Sequence, residues 1–365
     1  MARILKEQDI REILVGVAFL GAGGGGGLKD GLIMLEDNVK LRGKVEVTLI
    51  DPDEISDGGH AVMVAGTGSP RALAEKKEKF RYETSYAFDA MKDLAYFSGK
   101  RIDAIVPGEM GAVTSFIPMV ACMEKGVPIV DADGCGRAVP GLDVTMFHIN
   151  DIPYSPGVAT SDTHDVIAIL PKNPLDYKEA ENILRHLCGA YGYVIGMASS
   201  ITSKEDVQNK LVPGGLTLAQ NVGKAILTAK ENKACIKATL KEAAGAKLLA
   251  EGIVASQEYT VKNGHDIGCT TLKADDGNTY YADIKNETML FRTDDAVLVT
   301  CPDLICCIDL ESYTPLTNAA IEKDMRVAYF AIPAHELWYR SAKVEQAWKP
   351  YFEAVGYTGG IVRCQ

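Results

Sequence analysis

The segment DAIVPGEMGAVTSFIPMVACMEKGVPIVDADGCGRA, Asp103 to Ala138, constrains this chain more than any other part of it. It reads as an apolar strand (DAIVP), a loop (GEMG), an amphipathic helix and a second apolar strand (VPIVDAD), together a βαβ unit. Strands joined this way run parallel and the crossover is right-handed, so both carboxyl ends emerge at one edge of a sheet. Glu109 lies at the first of those ends, and Asp131 and Asp133 lie at the second. Open α/β sheets bind ligands outside the carboxyl ends of their strands. Carboxylates crowded there shift one another's pKa values and so supply an acid and a base. The plainer alternative is a set of ordinary turn aspartates.

The flanking sequence extends this pattern. Ile10, Ile13, Leu14, Val17 and Leu20 recur at helical spacing, so EQDIREILVGVAFL is a helix that ends at a glycine run. LKDGLIMLEDNVKL makes another helix, Val45 to Asp51 and Ala61 to Gly66 read as buried strands, and the charged stretch from Ser69 to Ser98 reads as surface helix. From Pro171 the texture is mostly helical as far as Gly252, and from there to CPDLICCIDL it is β-rich. The expectation is an α/β fold: an N-terminal three-layer α/β domain with a parallel sheet (1–170), then a helical segment plus a β-rich C-terminal domain (171–365).

Composition narrows the partners. Thirty-eight basic against forty-nine acidic residues give a net charge of -11, which repels phosphate backbones and anionic lipid. Neither nucleic acid nor membrane is expected as a partner, and the second domain is expected either to cover the strand-end crevice or to build a homo-oligomer interface. The nine cysteines are odd in number and scattered without a CxxC pair, as expected of reduced thiols in a cytoplasmic protein. Cys306 and Cys307 sit in a strand and point to opposite faces. The apolar run ILVGVAFL is too short to span a bilayer and is balanced by Glu7, Asp9 and Glu12, so it reads as mature structure.

Several further residues invite a chemical role. The run holding Gly23, Gly24, Gly25 and Gly26 is either a backbone cradle for an anion or a flexible connection between helices. A helix precedes it and no Gly-Lys-Ser/Thr ending follows, so no nucleotide is expected. Arg137 either pairs with one of the acids or grips an anionic substrate. Cys135 fits packing or substrate contact better than a covalent role, because nearby negative charge blunts a thiol. His164, in SDTHD, is a general base, a metal ligand or an exposed ring at a helix cap, and His60 before a strand carries the same alternatives. A divalent metal would find suitable ligand types in His60, Asp131, Asp133 and His164. His148, His186, His265 and His335 are read as structural.

LGAGGGGG, the GEMG turn, PIVDADGCGRAVP, IKNETML and CPDLICCIDLES together resemble the S-methyl thiohydantoin desulfurase-like family, nearly end to end. Cys135 stands where methionine is usual, and GEMGA replaces a more glycine- and asparagine-rich turn. The resemblance implies hydrolytic removal of sulfur, as thiol or sulfide, from a thiohydantoin-like five-membered ring, and so a small anionic cyclic substrate as the partner. It also brings Asn286, Glu287 and Asp303 into view, either over the crevice or as hydrogen-bonding groups at strand ends. On this reading a carboxylate among Glu109, Asp131 and Asp133 activates water, and a second acid or His164 protonates the leaving group. The glycine amides and Arg137 hold the substrate's anionic end, and an Asp131→Asn variant is expected to lose activity. A hydantoin or lactam amidohydrolase component and a non-catalytic accessory subunit are the competing classes.

Overall fold

The computed structural model describes residues 1–68, 81–192, 194–262 and 265–364. Among these residues the chain builds two eight-stranded sheets and one two-stranded ribbon. The first sheet uses β1 (Arg3–Lys6), β2 (Glu46–Ile50), β3 (Gly59–Gly68), β4 (Arg101–Val106), β5 (Ile129–Val130), β7 (Gly157–Thr160), β8 (Val166–Ile169) and β9 (Val194–Ser203). Their order is β1-β2-β5-β4-β3-β9-β7-β8. Its centre, β2-β5-β4-β3, is parallel, and antiparallel strands close both flanks. The ribbon pairs β6 (Ala132–Asp133) with β10 (Val212–Pro213), so the chain leaves the first sheet one residue after β5.

The βαβ reading holds: β4 and β5 are parallel and α4 (Phe116–Lys125) connects them, ending at Gly126 in the left-handed conformation. The expected helices before it are α1 (Glu7–Leu20) and α2 (Leu28–Arg42), with the glycine run between them. In the charged stretch α3 (Arg81–Phe97) is helical, and residues 69–80 lie outside the described residues. A short turn of helix, α5 (Met146–Ile149), precedes β7, and α6 (Tyr177–Ala190) and α7 (Lys204–Lys210) flank β9. The stretch read as mostly helical thus contains a ten-residue strand, and the first sheet draws β9 from beyond residue 171. VIGMASSITS is buried along almost all its length, so it carries no two-faced periodicity to betray a strand.

The helical stretch closes with α8 (Gly215–Asn232) and α9 (Ile236–Ala244). Helix α8 packs tightly on α1. A Cβ at Gly16 would run into the carbonyl of Ala219, and one at Gly223 into that of Glu12. The second sheet is antiparallel throughout: β11 (Lys247–Lys262), β12 (His265–Ala274), β13 (Thr279–Lys285), β14 (Glu287–Arg292), β15 (Val297–Thr300), β16 (Leu304–Asp309), β17 (Pro315–Leu316) and β18 (Arg326–Ile332). One face, with Cys306, Ile308 and Phe330, joins the main core, where Phe330 meets Phe19 of α1 edge-on at 6.0 Å. The other face, with Ile305, Cys307 and Tyr329, holds a smaller core of its own. Cys306 and Cys307 therefore divide between faces as the alternation of a strand requires. All nine cysteines are free thiols. Helix α10 (Lys343–Ala354) sets the Trp348 ring 5.9 Å from that of Trp338, tilted at 53°. Among the described residues no helix is long and apolar enough to cross a membrane.

Candidate active site

Three carboxyls lie within charge reach of one another near the ends of the parallel strands, Asp133 acting on Glu109 and Glu109 on Glu287. Glu109 follows β4, is half-buried, and accepts a hydrogen bond on Oε2 from the Val139 amide at 2.8 Å. Loss of hydration raises its pKa to about 7; the Val139 and Thr114 hydrogen bonds pull it down, Asp133 pushes it up and Arg137 opposes that push. Asp133 is buried in the ribbon. Its Oδ1 accepts the amides of Cys135 (2.7 Å) and Gly136 (2.5 Å), whereas Oδ2 has no hydrogen-bond partner among the described residues. That oxygen faces Gly215, where a Cβ would stand 2.5 Å from it. Burial lifts Asp133 to about 7 despite the two amides.

Glu287 comes from the second sheet. Between β13 and β14 the chain kinks at Asn286, which sits at φ 60°. Asn286 donates its amide to the Asp266 carbonyl (2.8 Å) and accepts the Asp266 amide on Oδ1 (2.9 Å). A side chain that bonds locally is what makes this left-handed position tolerable to Asn. The kink delivers Glu287 to the glycine loop with Oε2 buried and unpartnered among the described residues. Burial first, and the charge of Glu109 second, raise Glu287 to about 8.

The glycine loop is the spacer between these groups. A Cβ on Gly24 would collide with the Glu287 carboxyl, and one on Gly25 would lie 2.5 Å from the Cα of Gly111, two residues after Glu109. Gly25 offers its carbonyl to the amides of Val113 (3.0 Å) and Thr114 (3.2 Å), and Gly23 offers its own to that of Asn318 (2.9 Å). Gly23, Gly25 and Gly26 have φ values of 95°, 71° and 85°, which only glycine adopts freely. The amides of Gly25, Gly26 and Gly27 meet no acceptor among the described residues and stay available to an anion.

Other expected site residues are placed differently. Asp131 does not open onto the carboxyl cluster. It caps α8, accepting the amides of Leu216 (2.9 Å) and Thr217 (3.1 Å) on Oδ1 and the Thr217 hydroxyl on Oδ2. Arg137 is fully buried, donates to the carbonyls of Ala138, Pro302 and Asp303, and lies against Trp348. Its Nη2 has no hydrogen-bond partner among the described residues, and its charge acts on both Glu109 and Glu287. Cys135 is buried with its thiol donating to the Gly108 carbonyl, and burial pushes its pKa up. Asp303 is also structural, accepting the amides of Ala334 (2.7 Å) and Cys364 (2.6 Å).

The two candidate histidines join neither the aspartates nor each other. His60 pairs with Ile102 near the start of β4, at the opposite end of the strands from Glu109, and its Nδ1 lies 3.3 Å from the Arg101 carbonyl. His164 is exposed and stacks on Tyr86 at 3.4 Å. The metal set His60, Asp131, Asp133 and His164 is therefore not assembled. Among the described residues no group of three His, Cys, Asp or Glu is arranged to hold an ion. Sequence reasoning misses Thr114, the Val139 amide and Gly215; the Gly214-Gly215 pair before α8 is the one signal that pointed there.

Comparison with solved structures finds a crystal structure of a protein from Chromobacterium violaceum, 22% identical, covering 100% of both chains with a TM-score of 0.85. At that identity the likeness speaks for the fold. Comparison with curated proteins returns no match. The S-Me-THD-like N-terminal domain model matches residues 8–171, and the S-Me-THD-like C-terminal domain model matches residues 175–357. With both halves matched in order over nearly its whole length, the chain belongs to the S-Me-THD-like family.

Proposed function

We propose that this protein hydrolyses a thiohydantoin-like five-membered ring at the carbon bearing sulfur, releasing a thiol or sulfide. Family membership supports the choice of ring. The observation that supports the chemistry is that Gly24 packs on Glu287 and Gly25 on Gly111, two residues after Glu109, with burial raising Glu109 to about 7 and Glu287 to about 8. A base near neutrality and an acid still protonated there are what water attack with leaving-group protonation needs.

Glu109 is the base. It is the more open of the two, and the Val139 amide and the charge of Arg137 favour its carboxylate. It takes a proton from water as the oxygen bonds to the ring carbon. Glu287 supplies a proton to the departing sulfur as the carbon–sulfur bond breaks. Water's second proton goes to the ring nitrogen, leaving a ring carbonyl and a free thiol. Asp133, whose Oδ2 is unpartnered among the described residues and whose burial lifts it to about 7, donates a hydrogen bond to the ring in its protonated form. The free glycine amides hold the negative edge of the substrate.

Incubating the protein with S-methyl thiohydantoins, thiohydantoins and hydantoins, and following ring products and released thiol by mass spectrometry, tests this. Equal amounts of thiol and oxygen ring, both lost in Glu109→Gln and Glu287→Gln, are expected. Cleavage of an oxygen ring would move the protein to cyclic amide hydrolysis, and ligand-induced stabilisation without product would make it a binding subunit.

A further inference from the structure

Glu287 has one carboxyl oxygen, Oε2, buried and unpartnered among the described residues, and the other lies over Gly24, where a Cβ would collide with it. The direction of the carboxyl is therefore set by the main chain that carries it. A single side chain anchors that main chain on both sides. Asn318 is buried and opens one turn of 3-10 helix, Asn318–Ala320, just after β17. Its Nδ2 donates to the Asn286 carbonyl (2.9 Å), and its Oδ1 accepts the Thr288 hydroxyl (3.1 Å). A carbonyl can only accept, so the Asn286 bond fixes which way the amide is turned.

Asn318 grips the glycine loop as well. Its main-chain amide donates to the Gly23 carbonyl (2.9 Å), and a Cβ on Gly23 would lie 2.5 Å from Nδ2. Gln257 Nε2 donates to the Asn318 carbonyl (3.0 Å), and the Thr288 amide donates to the carbonyl of Ala22 (3.1 Å). One residue thus holds positions 286 and 288, on either side of the acid, and Gly23, next to the glycine against which the acid lies. Truncating its amide takes a bonding partner from both the Asn286 carbonyl and the Thr288 hydroxyl and frees the segment between them.

We infer that Asn318 is a positioning residue, which seats Glu287 against Gly24 and so aims its proton at the departing sulfur. The inference rests on the ring-hydrolysis reading for the step it serves. No bond is made or broken at Asn318: the proton passes from Glu287 to sulfur as the carbon–sulfur bond breaks, and Asn318 fixes the approach of those two atoms. Such a transfer requires hydrogen-bond reach, and a small misplacement of the acid slows it sharply.

The test compares rings that differ only in the thiol they release, S-methyl and S-nitrophenyl thiohydantoin, because a nitrothiophenolate departs without a proton and methanethiolate does not. In Asn318→Ala, kcat for the S-methyl ring should fall by about tenfold or more while the S-nitrophenyl ring changes by less than about threefold, the pattern also expected of Glu287→Gln. Added to Glu287→Gln, Asn318→Ala should lower the rate less than about twofold further. Thr288→Val removes only the hydroxyl that Asn318 accepts and should shift the ratio of the two rings the same way, with Thr288→Ser restoring it, so the claim survives an Asn318→Ala that folds poorly. An equal fall on both rings, or losses that multiply in the double variant, would overturn the assignment.

Urea unfolding against pH separates the seat from the reaction. Glu109 and Glu181 act on Glu287 to raise its pKa and Arg137 to lower it, and none of them bonds to Asn318 or Thr288 among the described residues, so the variants leave them in place. A carboxyl released from its dry seat ionises near its ordinary value, so Asn318→Ala should reduce the fall in stability between about pH 7 and 9 to about that of Glu287→Gln. That flattening without thiol release from either ring would keep the seat and sink the reaction, whereas an unaltered fall would sink the seat.

Discussion

Arg137, on the turn after β6, donates from Nη1 to the main-chain carbonyl of Asp303 in the second half of the chain, 2.8 Å away and out of reach of solvent. A buried guanidinium bonded to three carbonyls cannot be shortened without stranding them. Arg137→Met should therefore cost about 3 kcal/mol or more, read as a fall in denaturant midpoint. Arg137 also holds Glu109 and Glu287 below where burial alone would put them, so the acid limb of the pH–rate profile should move to higher pH in this variant.

Glu287→Gln keeps the size of a protonated glutamate but has no proton to give. Turnover should fall by about a hundredfold or more, while the fold survives with an unchanged circular dichroism spectrum. Activity within a few-fold of the wild type would remove Glu287 from the acid's role.

The same three carboxyls make stability depend on pH. Their folded pKa values, about 7, 7 and 8, lie above the ordinary carboxylate range, so the folded state binds more protons than the unfolded chain between those limits. Their contribution is complete below about pH 4 and is lost as pH rises through 7 to 8. Urea unfolding between pH 5 and 9 should show stability falling with pH through that window, and Glu287→Gln should flatten the upper part of the fall.

Asp131 gives the opposite expectation from the one its position in DADG invites. Its oxygens are held by the first turn of α8, so Asp131→Ala should cost about 1 kcal/mol as a lost cap and leave kcat within a few-fold once folded. A specific loss of kcat at unchanged stability would place Asp131 in the chemistry after all.

Gly24→Ala puts a methyl into the space of the Glu287 carboxyl. Activity should fall further than stability does, because the side chain that must yield is the acid itself. Paired measurement of kcat and melting temperature distinguishes this from a general packing defect.

The central βαβ unit and the clustering of Glu109 with Asp133 are legible in the sequence because both follow from short-range pattern, an apolar strand closed by a turn. Asp131 looks identical to Asp133 locally, and what separates them is Leu216 and Thr217, more than eighty residues on. His164 sits among carboxylates in sequence and against Tyr86 in space, since side chains within one turn share a neighbourhood but not a direction. Glu287 was visible only through resemblance: a lone acid opening a strand carries no sign of its burial. The strand β9 escaped because it is buried on both faces and carries Ser199, Ser200 and Thr202 inside, so no alternation of apolar and polar residues marks it.

The meeting of Glu109 and Glu287 across a bare glycine backbone also governs when chemistry can begin. In water each carboxyl would be an ordinary weak acid, ionised at neutral pH and unable to protonate a departing sulfur. Their useful acidity exists only once the seam between the two halves has closed and driven water out. On the proposed chemistry, a chain still growing, or cut between its halves, would hold neither the base nor the acid, and reactivity would arrive as the last product of folding.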